Sequence, residues 1–421
     1  MNTQTNTPDL AAQLRADADE IIRQSIHAVL PDTAVARALA GVDFPGKIYL
    51  VAIGKAAWQM ARAAVDNLPR PVESGIVITK YGHIGGEIPG CQLFEAGHPV
   101  PDQNSFSATQ AAVELAKSAK EGDTILFLVS GGGSALFEQP LISGDEMQDI
   151  TDQLLSSGAD IVEMNTIRKR LSGVKGGRFG LICAPAQVYA IVLSDILGDP
   201  LDMIASGPAV PDHSTCEDAL RIAEKYQLRL SDAAMDCLHK ETPKSLDNVR
   251  TVITGSVREL CHAAEQAAQS LGYTPIMLTD QLCCQAKEAG SMLASILKTH
   301  VQDNRSLAFI AGGETVVRLT GKGKGGRNQE LALGAAEGIA GIENAAVFSV
   351  ESDGTDGPTD AAGGYVDGNT CRKLAEAGLS AYDILENNDA FHALEKTGGL
   401  IITGPTGTNV NDVAVGLLKA E

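Results

Sequence analysis

Short, continuous apolar runs recur along this chain, and most lead into glycine, serine or aspartate. They lie at Ile48–Ile53, Ser74–Thr79, Thr124–Val129, Val188–Leu193, Arg250–Thr254, Thr274–Leu278, Leu307–Ala311, Ala345–Val350 and Leu400–Thr403. Runs of this length without polar alternation suit strands covered on both faces, as in a parallel sheet between helices. Between them, helical periodicity predicts helices over Pro8–Leu30, Ala56–Asn67, Ser105–Ala119, Ser143–Ser156, Ser256–Leu271 and Gln281–Thr299. Thr7 is the expected N-cap of the first, with Pro8 at its first helical position. Ser143 to Glu146 fits a capping box at the fourth. The alternation predicts an α/β protein.

The 421 residues suit two domains. The pattern breaks near Glu241–Asp247 (ETPKSLD) and a fresh βαβ series follows, so the expected division is 1–242 and 243–421. Each part is expected to hold a mostly parallel, Rossmann-like sheet flanked by helices. Thr403–Asp412 reads as a turn opening onto a C-terminal helix.

Charge removes whole classes of partner. The formal net charge is −20, so a nucleic-acid backbone would be repelled, as would an anionic membrane surface. A small anionic ligand then requires a locally basic site. Aromatics are only 4% of the chain, which leaves the cores to Ala, Val, Leu and Ile. No apolar run reaches the length of a membrane span. The N-terminal residues are polar and lack the apolar stretch of a signal peptide, so the cytoplasm is the expected location. The eight cysteines are scattered without a Cys-x-x-Cys, which predicts reduced, mostly buried thiols and no structural zinc; Cys283–Cys284 fall in a helix-like run. A homodimer is compatible with the sequence, which does not fix oligomeric state.

Ligands of open α/β sheets sit at the carboxyl ends of strands. There the chain places Lys55 in Gly54-Lys55-Ala56, then Ser130-Gly131-Gly132-Gly133-Ser134-Ala135, then Asp195 in Ser194-Asp195-Ile196. A lysine at a helix start opposes the macrodipole, so it faces either an anion or open solvent. The small-residue loop is a tight turn or a nest for phosphate oxygens. Asp195 can cap a turn, accept a hydroxyl proton or hold Mg²⁺. Met164–Arg178 is a second basic cluster, either a site or a solvated surface.

The second half repeats the theme with Gly312-Gly313-Glu314-Thr315 and Ser352-Asp353-Gly354-Thr355-Asp356-Gly357. Between them a β-type run, Thr315–Thr320, leads into Gly321-Lys322-Gly323-Lys324-Gly325-Gly326-Arg327 and a helix-type run over Asn328–Ile339. Glycines there can bring backbone N–H groups close to an anion, and the lysines and Arg327 supply charge. No P-loop motif is present. Gly321, Gly323 and Gly326 formally match a dinucleotide fingerprint, with Glu351 as a conceivable ribose acid, but an isolated match in a glycine-rich chain carries little weight.

In this order, and with Gly97-His98-Pro99-Val100-Pro101-Asp102 and Gly325-Gly326-Arg327-Asn328-Gln329-Glu330, these motifs resemble the type II glycerate kinases, the glycerate 2-kinase family, over almost the whole chain. Some members of that family carry the label hydroxypyruvate reductase. The resemblance implies two α/β domains with the active site in the cleft between them. It implies ATP as co-substrate and Mg²⁺ or another divalent cation as cofactor. It implies phosphorylation of D-glycerate at the 2-hydroxyl, giving 2-phospho-D-glycerate. The alternative is an NAD(P)H-dependent hydroxypyruvate reductase. On the kinase reading Lys55 and Arg327 approach the γ-phosphate and the substrate carboxylate from opposite walls, and Asp195 handles the hydroxyl proton or the metal. Phosphates and nucleotide are expected on Ser130, Gly131, Gly132, Gly133 and Ser134 and on Gly313, Glu314, Lys324, Gly325 and Gly326. Asp195, Asp353 and Asp356 are the expected metal ligands.

Overall fold

The computed structural model describes residues 9–420, in two compact units. One is Pro31–Thr254; the other joins the segment ending at Leu30 to everything from Gly255 onwards.

The first unit is built on strands β1 (Ile48–Ile53), β2 (Ser74–Lys80), β3 (Cys91–Ala96), β4 (Thr124–Val129), β5 (Gln187–Leu193) and β6 (Val249–Gly255), ordered β3-β2-β1-β4-β5-β6. The pairs from β3 to β5 are parallel. The apolar runs are continuous because successive side chains enter different cores. Tyr49, Val51 and Ile53 join one core with Ile125, Phe127 and Val129, under the helix Gln103–Ser118. Ile48, Leu50 and Ala52 join the other with Leu126 and Leu128, under the helices Pro31–Leu39 and Ala57–Asn67. Strand β3 was not expected; it is a half-exposed edge whose Gln92 and Glu95 break the apolar run.

A separate all-helical core joins Gly144–Ser156, Ile161–Leu171, Cys216–Lys225 and Asp232–Leu238. Ser143 caps the first of these through the Glu146 N–H at 3.2 Å, while the Glu146 carboxylate turns to the Ser231 N–H at 2.9 Å, so half of the expected capping box forms. Most of the basic cluster at 164–178 is internal, with Arg168 left half-exposed. Lys169, Arg170 and Lys175 are buried and paired inside the unit, Lys169 with Asp202 and Asp212, Arg170 with Asp212 and Glu241, and Lys175 with Glu138.

The second unit holds β7 (Thr274–Leu282), β8 (Leu307–Gly313), β9 (Ala345–Glu351), β10 (Gly363–Asp367), β11 (Leu400–Ile401) and β12 (Asp412–Leu418), ordered β11-β10-β9-β12-β8-β7. Parallel pairing predominates over the two sheets together but is concentrated in the first. Here only β7 and β8 pair in parallel; β12 lies antiparallel between β8 and β9, and β10 is antiparallel to β9 and β11. The expected C-terminal helix is therefore a correction: residues 412–418 form the central strand β12, whose side chains are buried throughout. Its apolar run carries no period that separates a short buried helix from a strand.

The expected division at 242/243 differs from this arrangement in two ways. Strand β6 completes the first sheet. The N-terminal helix Leu10–Ala28 packs in the second unit, against the helix Val257–Ser270. There Tyr273 donates to Asp17 at 2.7 Å, Lys419 donates to the same carboxylate at 2.5 Å, and Arg15 reaches the Gly398 and Leu400 carbonyls. Asp9 caps this helix through the Ala11 N–H; Thr7 and Pro8 lie outside the described residues.

All eight cysteines are free, but only Cys183, Cys237 and Cys261 are buried, and Cys283 and Cys284 stand exposed between β7 and the helix Ala286–His300. Among the described residues no helix is long and apolar enough to cross a membrane.

Candidate active site

In the first unit the carboxyl ends of β1, β4 and β5 bring three of the expected groups together. The chain leaves β1 at Gly54 and crosses to the loop after β4, where the Lys55 N–H donates to the Gly131 carbonyl at 2.8 Å. Ser130 binds this crossing rather than a ligand: its hydroxyl receives the Ala56 N–H at 3.1 Å and donates to the Ile53 carbonyl at 3.2 Å. Thr79 donates to the Lys55 carbonyl from the end of β2 at 3.2 Å.

Two glycines in the loop make room for functional side chains. A Cβ on Gly131 would stand 2.2 Å from Oδ2 of Asp195, so that carboxylate rests on bare backbone. At Gly132, with φ +83°, a Cβ would meet the His98 ring at 3.0 Å and Cγ of Lys55 at 3.2 Å. Lys55, His98, Gly131, Gly132 and Asp195 thus form one cluster. Ser134 is held from behind, its hydroxyl 3.0 Å from that of Ser206, which donates to Oδ1 of the buried Asn165 at 2.9 Å. The His98 imidazole is held below its ordinary value, first by burial and then by the positive charges of Lys55 and Lys80.

The second unit presents a group of opposite balance. Arg327 opens the helix Arg327–Ala336, where a cation needs an anionic partner. That partner is internal: Nε and Nη2 bond the two oxygens of Asp412 at 2.6 and 2.9 Å, and Nη2 also lies 3.0 Å from Glu351. Asp412 opens β12 and pairs in register with Gly313 of β8 and Glu351 of β9, so the sheet itself sets the three side by side. Glu314 adjoins them, taking the Asn411 amide at 3.3 Å. Burial opposes charge on Arg327, but Asp412, Glu351 and Glu314 outweigh it and hold the guanidinium charged. The carboxylates outnumber the cation. Burial, with repulsion from Asp412, Asp353 and Asp356 and against the pull of Arg327, pushes Glu351 up to about 8. Burial likewise pushes Asp412 up to about 6, against its bonds to Arg327.

The glycine-rich cationic loop has a different role from an open phosphate clamp. Thr315–Thr320 does not form a strand; only Val316 makes an isolated bridge, to Gln285. The following N–H groups are spent on the turn 387–389: Gly321 on the Asn388 side chain at 2.9 Å, Gly323 on the Asn387 carbonyl at 2.8 Å and Lys324 on Asp389 at 2.9 Å. Gly321 and Gly323 are needed for this close approach, since a Cβ on either would fall 2.3–2.4 Å from that turn. Lys324 lays its ammonium over the Phe391 ring, 4.2 Å from the centroid. The formal dinucleotide fingerprint is thus a packing motif, and Glu351 serves Arg327.

The expected metal ligands differ in availability. Asp356 is buried and gives both oxygens to the N-terminus of the Arg327 helix, receiving the Asn328 and Gln329 N–H groups at 3.2 and 2.9 Å. Asp353 gives one oxygen to the Thr355 N–H and hydroxyl. Among the described residues no group of three or more His, Cys, Asp or Glu forms a metal-holding cluster. Mg²⁺ commonly takes one or two carboxylates plus substrate phosphates. Asp195 lies against the Gly131 backbone at the strand ends, whereas both Asp356 oxygens are turned into the helix N-terminus.

The family described as "Domain of unknown function (DUF4147)" matches residues 17–239, and the MOFRL family matches residues 307–412. A D-glycerate 2-kinase from Thermotoga maritima is 51% identical over 411 residues, 96% of this chain and 98% of its own. The chain belongs to the glycerate 2-kinase family. A crystal structure of glycerate kinase from Thermotoga maritima matches with a TM-score of 0.92 at 50% identity, covering 97% of this chain and 100% of that one. A relative from Agrobacterium vitis, 36% identical over 87% of this chain and 98% of its own, bears a hydroxypyruvate reductase name.

Three residues of these clusters are not marked by local sequence. His98 lies in the Gly97–Asp102 motif, but no local pattern ties residue 98 to residue 132. Glu351 reads at most as a ribose acid, and Asp412 as the end of a turn. The signal for Asp412 was present: an acid opening an apolar run is the mirror of one closing it, once that run is a strand.

Proposed function

We propose that this protein transfers the γ-phosphoryl group of ATP to the 2-hydroxyl of D-glycerate, giving 2-phospho-D-glycerate and ADP. The observation that carries this reading is the 51% identity, across nearly both full lengths, to a D-glycerate 2-kinase. The geometry supplies parts that suit it. Phosphoryl transfer needs positioning and neutralisation of anionic oxygens more than covalent help.

Lys55, at the end of β1 and against Gly132, carries positive charge into a chain of net charge −20, and meets an anionic oxygen of substrate or phosphate. The Gly131–Ser134 backbone shapes the floor of that site. Asp195 orients the acceptor or holds the divalent cation, Mg²⁺, which when bound would neutralise phosphate charge. In the second unit Arg327 keeps Nη1 outside its bonds to Asp412 and Glu351, leaving N–H donors for an anionic oxygen. The loop 321–326, braced on the turn 387–389, sets where that helix begins and therefore where Arg327 stands. A small-molecule substrate, a cytoplasmic location and a homodimeric assembly belong to the same reading, with neither membrane nor nucleic acid as partner.

The test is direct. Purified protein with D-glycerate, ATP and Mg²⁺ should yield 2-phosphoglycerate, identified by ³¹P NMR and by coupling to enolase. Oxidation of NADH by hydroxypyruvate without any phosphoglycerate would replace the kinase with the reductase. Phosphate on carbon 3 would keep the reaction class and overturn the regiochemistry.

A further inference from the structure

Resting on that reading, we propose that His98 is a catalytic residue of this site, the group that takes the proton of the acceptor hydroxyl. The argument starts from the point above Gly132. A Cβ there would touch two side chains, the His98 ring through Cδ2 and Nε2 at 3.0 Å and Lys55 through Cγ at 3.2 Å. The imidazole edge carrying Nε2 and the stem of Lys55 therefore border the same space over the glycine loop. An acceptor whose carboxylate or incoming phosphoryl group meets the lysine ammonium brings its hydroxyl beside that imidazole.

Two other groups border this region. His83 holds its Nδ1 3.3 Å from the Lys55 carbonyl, but the imidazole nearest the point above Gly132 is that of His98. Asp195, on the neighbouring Gly131, is the competing carboxylate, and the Asp195→Asn variant below separates it from His98. Burial and the charges of Lys55 and Lys80, the ionised groups that act on it, hold the His98 ring below its ordinary value, the direction that favours the proton-accepting form.

The step balances as follows. A lone pair on the hydroxyl oxygen forms the new O–P bond to the γ-phosphorus. The bond from that phosphorus to the β,γ-bridging oxygen breaks, and its electron pair leaves with ADP. The hydroxyl proton passes to Nε2 of His98 and then to solvent.

The experiment is the pH profile of kcat/KM, which reports groups of the enzyme before substrate binds, together with kcat and KM for D-glycerate, for wild type, His98→Gln and Asp195→Asn. Wild type should lose activity on the acid side with a midpoint below the ordinary histidine value of 6.5. His98→Gln, which can still accept a hydrogen bond but not a proton, should keep KM for glycerate within a few-fold, lower kcat by about 10²–10⁴-fold, and lack the acid limb. A His98→Gln protein with less than about a tenfold loss, or with the wild-type limb intact, overturns the assignment. So does disappearance of the limb in Asp195→Asn alone, which would give the proton to the carboxylate. Wild type that makes no phosphoglycerate removes the kinase reading itself, an outcome distinct from an active wild type with an unaffected variant. Should His98→Gln fail to fold, NMR of ¹³C-labelled histidine in wild type and His83→Gln decides: an imidazole present in both should titrate below 6.5 and shift when D-glycerate is added, and its absence from His83→Gln, or an imidazole set blind to D-glycerate, overturns the proposal.

Discussion

Arg327 and Asp412 form a two-pronged ion pair, Nε to Oδ2 at 2.6 Å and Nη2 to Oδ1 at 2.9 Å, across a separation of 85 residues in sequence. The pair joins the first residue of a helix to the first residue of the central strand β12. It fixes the guanidinium in a single orientation, at the strand ends where α/β sheets bind ligands.

Asp412→Asn should therefore damage both stability and turnover. Removing the carboxylate takes two charge-assisted hydrogen bonds from the guanidinium and leaves it to Glu351, at a cost of about 1.5–3 kcal/mol. The urea midpoint should fall, and kcat with it. An unchanged midpoint would mean that the pair contributes nothing to the folded state.

Arg327→Lys should behave more like Arg327→Ala than like wild type, because a lysine cannot reproduce the planar fork to Asp412 together with the contact to Glu351. Each variant is expected to lower kcat by about 10²-fold or more. Lys55→Ala should do the same while leaving the melting temperature near wild type, since among the described residues Lys55 makes no ion pair. Near-normal turnover in a well-folded variant would remove that residue from the reaction.

Glu351 gives the chain a pH dependence of known sign. Folding raises this carboxyl from 4.5 to about 8, so the folded protein holds a proton that the unfolded chain releases. Its stabilising contribution is full below about pH 4.5 and is lost as pH rises through about 8. Glu351→Gln, neutral at every pH, should melt about 2–4 °C above wild type at pH 8.5 and close to it at pH 5. A variant less stable than wild type at pH 8.5 would show that the ionised carboxylate is the stabilising form.

Glycines in the two units should fail differently. Gly131→Ala would place a methyl 2.2 Å from Oδ2 of Asp195, a side-chain atom that can swing aside. Turnover should drop with little change in melting temperature. Gly321→Ala would place it 2.3 Å from the Asn387 backbone, which cannot move without breaking the bonds that brace the loop. Here the melting temperature should fall, with any loss of activity following from that.

Lys324→Ala tests the loop as a nucleotide contact. With its ammonium on the Phe391 ring and its N–H on Asp389, loss of the side chain should cost about 0.5–1 kcal/mol of stability. KM for ATP should change less than about threefold if the side chain only braces the loop, a shift of under 1 kcal/mol. A rise of tenfold or more would return Lys324 to the phosphate site.

The sequence by itself determined the strands whose apolar residues feed two cores, and with them the strand-end positions of Lys55, Gly131, Asp195 and Glu351. Burial of a continuous apolar run is a local requirement and leaves a local trace. It determined the small-residue loop after β4 for the same reason. Only the tertiary structure decided what the charges do. Residues 412–418 satisfied a helix as readily as a strand until pairing with β8 and β9 selected the strand, and that choice gave Arg327 its carboxylate. The cationic loop read as open because its partners, the turn 387–389, lie more than sixty residues away. His98 meets Gly132 through a bend that no spacing announces. A buried charge or N–H must find a partner, and the chain meets that demand with whichever group the packed sheet brings within reach.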